Sequence, residues 1–115
     1  MAGRYVPEAG DIVWLHFNPQ AGHEQAGYRP ALVVSPSSYN SKTGLMLCCP
    51  TTTQIKGYPF DVMIAADRPS VALADQVKSL DWVARKAQHK GRVSATELNE
   101  VRAKILALLG SELQQ

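Results

Sequence analysis

The sequence predicts a mainly β protein, a small and strongly curved β-barrel or sandwich with one α-helix packed on it at the C-terminal end. Three observations carry that prediction. Short runs rich in β-branched and aromatic residues, bounded by Gly, Pro or Asn, recur between residues 11 and 83. One amphipathic helical pattern with its own start signal follows residue 93. The chain has 115 residues, 45% of them apolar, which is enough for one core and one domain over 1–115 and too much for a disordered chain.

The elements follow in order. Residues 11–17 (Asp-Ile-Val-Trp-Leu-His-Phe) read as a first strand between Gly10 and Asn18-Pro19. Period two puts Val13, Leu15 and Phe17 on one face, the expected core side, and Ile12, Trp14 and His16 on the other. Residues 18–28 form a polar loop longer than the two to five residues of an ordinary hairpin, the kind of loop that often carries function. Residues 31–35 are a second strand ended by Pro36, and 37–44 a turn region. Residues 45–49 are a third strand stopped by Pro50, followed by a second polar loop over 51–58. Residues 60–64 alternate as a fourth strand, and 71–83 hold one or two more. Ser94 followed by Glu97 is a capping box, with Val93 and Leu98 placed to staple it. Leu98, Val101, Ile105 and Leu108 then share one helix face, and Gly110 is the stop.

Charge excludes one class of function. Residues 1–57 hold Arg4, Arg29, Lys42 and Lys56 against Glu8, Asp11 and Glu24, so each half of the chain carries +1 of the net +2. A pI near 8.6 is below the ~9 of a domain that holds nucleic acid by bulk charge, so any polyanion is handled at a local site. No apolar run approaches the ~18–20 residues that span a bilayer, and the first residues hold no signal core. Cys48 and Cys49 are adjacent, so on a strand they point to opposite faces and cannot bridge without strain. They read as reduced, buried thiols of a cytoplasmic protein, not as a metal site.

The two polar loops carry the chemistry. The first holds His23, Glu24 and Arg29, the second Thr51, Thr52, Thr53 and Lys56. Each leaves a strand end, so both can open at one rim. Together they supply a base, a fixed cation and a hydroxyl, a set that suits RNA cleavage. There the 2′-hydroxyl must lose a proton, the crowded phosphate needs donors aimed at its charge, and the leaving 5′-oxygen must gain a proton. A guanidinium meets a phosphate bidentately where a lysine does not. RNA brings its own nucleophile, so no metal or other cofactor is required in principle. Taken singly, Arg29 reads as a surface ion-pair partner, Glu24 as a solvated carboxylate and the threonines as strand-end hydrogen bonding. The basic cluster Arg85–Arg92, with His89, reads as a solvated turn.

The segment Gly22-His-Glu-Gln-Ala-Gly-Tyr-Arg-Pro30 changes that balance. It resembles the Gly-x-Glu-Gln-x-Gly-x-Arg-Pro signature of the MazF/PemK/Kid family of toxin–antitoxin ribonucleases. Further segments look like family segments in family order: Arg4-Tyr-Val-Pro with Gly10-Asp and Trp14, Asn40-x-Lys-Thr-Gly44, Pro50-x-Thr-Thr-Gln54, Lys56-Gly-Tyr-Pro-Phe60 and Ala74-Asp-Gln-Val-Lys-Ser79. The resemblance covers about residues 4–110 and is nearest to the chromosomal MazF branch. It implies an SH3-like barrel with a C-terminal α-helix, a homodimer, and metal-independent, sequence-specific cleavage of single-stranded RNA to a 2′,3′-cyclic phosphate and a 5′-hydroxyl. It also implies a cognate MazE-like antitoxin whose acidic C-terminal tail covers the RNA groove, and no cofactor.

By position, the resemblance makes Arg29 the catalytic arginine, Thr52 the catalytic threonine and Glu24 the candidate base. Gln25, Thr53, Gln54, Lys56 and Gln76 are implied groove residues, and Phe17 and His23 are placed to stack on or hydrogen-bond bases. The chain departs from the family pattern at His16-Phe17-Asn18, where relatives often have Asp-Phe-Asp, and at Tyr28, where a close relative carries His. Those departures leave the base open between Glu24 and His23. Two other classes of function compete: a CcdB-like toxin that blocks a protein such as DNA gyrase without catalysis, and a barrel that binds RNA without cutting it. The clustered acid–base set argues against both.

Overall fold

The computed structural model describes residues 4–17, 27–66 and 68–110. His23, Glu24 and Gln25 lie outside the described residues. Strand β1 (Asp11–His16) pairs antiparallel with β2 (Tyr28–Val33), and a short helix α1 (Ser37–Thr43) leads to β3 (Leu45–Thr52). Strands β4 (Asp61–Ala65) and β5 (Pro69–Leu73) form a hairpin, and a 3₁₀ turn at Ala74–Gln76 leads to β6 (Lys78–Asp81). Strand β7 (Gln88–Arg92) and helix α2 (Ala95–Leu108) complete the order. The strands run β4-β5-β3-β2-β1-β7 in one seven-stranded sheet, with β6 also on β3. Among the described residues no ladder joins β4 to β7, so the expected barrel is coiled but not closed.

The alternation in β1 holds, but both of its faces meet a core. Val13, Leu15 and Phe17 pack with Ala31, Val33, Met46, Cys48 and Trp82. Ile12, on the other face, packs with Leu32, Val34, Cys49, Val62, Ile64 and Val101 of α2. Helix α2 creates this second core by covering the sheet's other side. Cys48 and Cys49 divide between the two cores as adjacent strand residues must. Burial pushes both thiols up to about 12.

Helix α2 begins as its sequence requires. Ser94 Oγ accepts from Glu97 N at 3.1 Å, and Glu97 Oε1 accepts from Ser94 N at 2.8 Å. Glu97 Oε2 also accepts from Ala65 N at 2.8 Å, tying the helix start to the end of β4. Leu98, Val101 and Ile105 pack into this second core, with Ile12 and Leu32. Leu108 does not: it is 45% exposed, so the buried stripe ends one turn early. Gly110 takes a left-handed φ of 83° just past the helix, as a stop requires.

Four elements differ from the sequence expectation. Pro50 does not stop the third strand, which runs on to Thr52. One edge of β3 pairs with β6 through Cys48 and with β5 from Thr51, and Pro50 falls in the interval between these partners, where a missing N–H matters least. Strand β2 starts at Tyr28, ahead of Pro30. The turn region 37–44 contains α1, closed by Gly44 at φ 73°. Residues 88–92 of the basic cluster form β7, an edge strand of exposed polar side chains whose pairing is supplied by the backbone of β1.

A buried polar knot holds the N-terminal segment against β3. Asn40 Nδ2 donates to Pro7 O at 2.8 Å and Ser35 O at 3.1 Å, Ser35 Oγ donates to Asn40 Oδ1 at 2.7 Å, and Leu47 N donates to Ser35 Oγ at 2.9 Å. Trp82 Nε1 donates to Asn40 O at 2.9 Å. Every polar atom of the fully buried Asn40 side chain is thus paired, which is what makes it tolerable there.

Candidate active site

The β1–β2 and β2–β3 ladders bring Tyr28 and Arg29, at the described end of the first polar segment, beside the second. Ala31 faces Pro50 across β2–β3, and Thr51 Oγ1 donates to Pro30 O at 3.5 Å. Continuing that antiparallel register sets Arg29 across from Thr52. Both line a cleft of about 470 Å³, together with Thr53, Gln54, Trp14 and Tyr28. Segments far apart in sequence therefore meet at one opening, as the sequence led us to expect.

The charge of that cleft is one-signed. Arg29, Arg68 and Lys90 line it, and no carboxylate does among the described residues. The Arg29 guanidinium has no side-chain partner among the described residues, so its donors are available to a ligand. Thr52 is oriented by its own turn: Gln54 N donates to Thr52 Oγ1 at 3.1 Å. A hydroxyl that already accepts from the backbone keeps its proton free to donate. A cation with a free planar fork beside an oriented hydroxyl, in a cleft without negative charge, suits a phosphate.

Thr52 and Gln54 also line an adjoining cleft of about 370 Å³, shared with Lys56, Tyr58, Asp75 and Gln76. Its charge is mixed, with Lys56 against Asp61 and Asp75. Gln76 Oε1 is buried there without a hydrogen-bond partner, an acceptor left for a donor that enters the cleft. The expected groove residues are thus divided: Arg29 and Thr53 on one side, Lys56 and Gln76 on the other, with Thr52 and Gln54 common to both.

Comparison with known proteins shows the family. The model of the PemK-like, MazF-like toxin of type II toxin–antitoxin systems matches residues 8–109. This chain belongs to that family. It is 56% identical over 111 residues to the endoribonuclease toxin MazF of Escherichia coli strain K12, covering 96% of this chain and 100% of that protein. It is 32% identical to the endoribonuclease PemK of Escherichia coli over 108 residues, 89% of this chain and 81% of that one. Among solved structures, MazF from Deinococcus radiodurans superposes with a TM-score of 0.88 at 54% identity, over 93% of this chain and 99% of that chain. MazF in a MazE–MazF complex of the same organism gives 0.82 at 48% identity, over 93% and 98%.

Within this MazF-like fold one expected contact is corrected. Phe17 is only 3% exposed, packed in the core beneath β1 with Lys78 Nζ 5.5 Å from its ring centroid. Its ring is not offered to a base, because the side of β1 that it occupies is filled by Met46, Cys48 and Trp82. Sequence reasoning also missed two cations of the cleft. Lys90 sat in the basic cluster read as a turn, and that cluster was the available signal. Arg68 stands alone in sequence, and only the β4–β5 hairpin brings it to the cleft.

Proposed function

We propose that this protein is the toxin of a type II toxin–antitoxin system, acting as a sequence-specific endoribonuclease on single-stranded RNA to inhibit translation and growth. The observation that carries the reading is the Arg29 guanidinium, without a side-chain partner among the described residues, in one cleft with the oriented Thr52 hydroxyl. A protein that only blocks another protein has no need of this arrangement. The family and its endoribonuclease relatives support the same reading.

The chemistry follows from the groups. Glu24 takes the proton of the 2′-hydroxyl, whose oxygen attacks the adjacent phosphorus. Arg29 and Thr52 donate to the non-bridging oxygens as negative charge builds on them. The bond to the 5′-oxygen breaks, that oxygen takes a proton from solvent water, Glu24 returns its proton to solvent, and the products are a 2′,3′-cyclic phosphate and a 5′-hydroxyl. The substrate supplies the nucleophile and Arg29 the positive charge, so the reaction proceeds without a metal. His23, Gln25, Thr53, Gln54, Lys56 and Gln76 serve as groove residues for the RNA strand. Solved MazE–MazF complexes of Deinococcus radiodurans support a MazE-like antitoxin as partner, and an acidic tail matches the cations of the cleft. We take the chain 1–115 as one toxin domain, working as a homodimer in the cytoplasm. No helix among the described residues is long and apolar enough to cross a membrane.

The test is incubation of purified protein with long single-stranded RNA in EDTA. Discrete fragments, lost in Arg29→Ala and blocked by the antitoxin, are expected. Intact RNA together with gyrase-dependent DNA breaks would favour the non-catalytic toxin instead.

A further inference from the structure

Beside Arg29 the cleft carries aromatic surface that the catalytic scheme does not use. Trp14 on β1 and Tyr28 on β2 lie nearly parallel, 11° apart, with ring centroids 5.8 Å from each other. Face-to-face carbon contact needs only about 3.5–4 Å, so at this centroid separation the two rings do not cover each other fully. Both line the cleft, and Tyr28 is 39% exposed. Two large aromatic residues kept at a wet, cationic opening are not explained by core packing, since neither belongs to a core cluster.

The pair is held from several directions. Tyr28 Oη donates to Gln88 Oε1 on β7 at 3.0 Å, and the His16 ring packs on Tyr28 at 4.6 Å. Lys90 Nζ stands 5.4 Å from the Trp14 ring centroid, a further hold on that ring. Trp14, Tyr28 and Arg29 line the same cleft, so a strand whose scissile phosphate meets the guanidinium has its adjacent nucleotide within reach of these rings. A fixed aromatic face flanked by cations is the surface on which single-stranded bases stack.

We infer that Trp14 and Tyr28 form a stacking platform for one nucleobase next to the scissile phosphate. The inference rests on the RNA-cleaving reading above and adds a binding subsite to it. Stacking tolerates any base, so the platform contributes hold on the strand at one position and does not dictate which base stands there.

The test uses short RNAs carrying a mapped cut, each with one abasic residue at a successive position around it. In the wild-type protein, removing the base at one position adjacent to the cut should lower kcat/KM about 5- to 100-fold, the scale of one base–aromatic stack. In Trp14→Leu, which keeps an apolar side chain, that position-specific penalty should shrink below about twofold, and Trp14→Phe should restore it. Wild-type tryptophan emission, read with a 2′-deoxy residue at the cut to prevent cleavage, should be quenched by the intact strand and not by the abasic one. That readout decides even where a variant folds poorly. Loss spread evenly over all positions, or emission indifferent to the missing base, overturns the platform while leaving the nuclease reading intact. So does weakened antitoxin binding in Trp14→Leu with unchanged RNA kinetics, which would make the face a protein-docking surface. A wild-type protein that cuts no RNA overturns both readings.

Discussion

At the scale of single residues, Arg29 and Thr52 are separable by their chemistry. Arg29 acts through a charged planar fork, so Arg29→Lys should rescue little of the activity lost in Arg29→Ala. Each should lower kcat by at least about 10²-fold, the usual consequence of deleting one oxyanion donor. In the proposed mechanism Thr52 acts through its hydroxyl proton, left free to donate because the oxygen accepts from the Gln54 N–H. Thr52→Ser should therefore stay within a few-fold of wild type while the isosteric Thr52→Val falls with the arginine variants, both read as single-turnover cleavage rates. The base has its own signature. With Glu24 in that role, Glu24→Gln should abolish single-turnover cleavage while His23→Gln leaves it within a few-fold of wild type, and the reverse pattern would assign the role to His23. Arg29 and Thr52, which line one cleft, were legible as a pair because each sits in a spaced motif. Arg68 and Lys90 were not, because their relation to the site exists only after β4–β5 and β7 are folded against the rest.

At the scale of elements, the strongest local signal was the start of α2. The Glu97 carboxylate accepts from the backbone of Ala65 and Ser94, and those bonds hold it below its ordinary value of 4.5. A carboxylate whose folded value is lowered stabilises the fold above its unfolded value, and that stability is lost as pH falls through 4.5 and then through the lower folded value. Glu97→Gln should thus lower Tm at pH 7, and the difference from wild type should close toward pH 3, as thermal melts at the two pH values would show. Ser94→Ala should cost about 1 kcal/mol at either pH, since a hydroxyl cap does not titrate. The remaining elements show what a sequence pattern carries. Strands with a buried face, such as β1 and β3, announce themselves through alternation. Strand β7 has no buried stripe of its own and exists because β1 offers it an edge, so its polar residues read as a turn. Pro50 misled for a related reason, because its tolerance depends on which neighbours the strand has on either side of it.

For the molecule as a whole, the sheet with α2 on one side and the N-terminal segment near the other makes two cores, not the one the sequence implied. Asn40 ties the N-terminal segment, α1 and β3 together through bonds that water cannot replace. Asn40→Ala should lower stability by about 3 kcal/mol by leaving Pro7 O and Ser35 O without their donor, measurable in urea melts. Cys48 and Cys49 report on the cores separately from any chemistry. Buried, with their thiols pushed up to about 12, they should resist a neutral-pH thiol reagent in the native protein and both react once it is unfolded.

The central claim is that Arg29 and Thr52, carried by different strands, meet around one phosphodiester of an RNA strand that supplies its own attacking oxygen. Mapping the ends made on a transcript library in EDTA, by wild type and Arg29→Ala side by side, tests it most directly. The account predicts cuts at one short recurring word in the wild type, ending in 2′,3′-cyclic phosphates, and none above background in the variant. Cuts by Arg29→Ala at the same word and rate, or 3′-hydroxyl ends in the wild type, would contradict it.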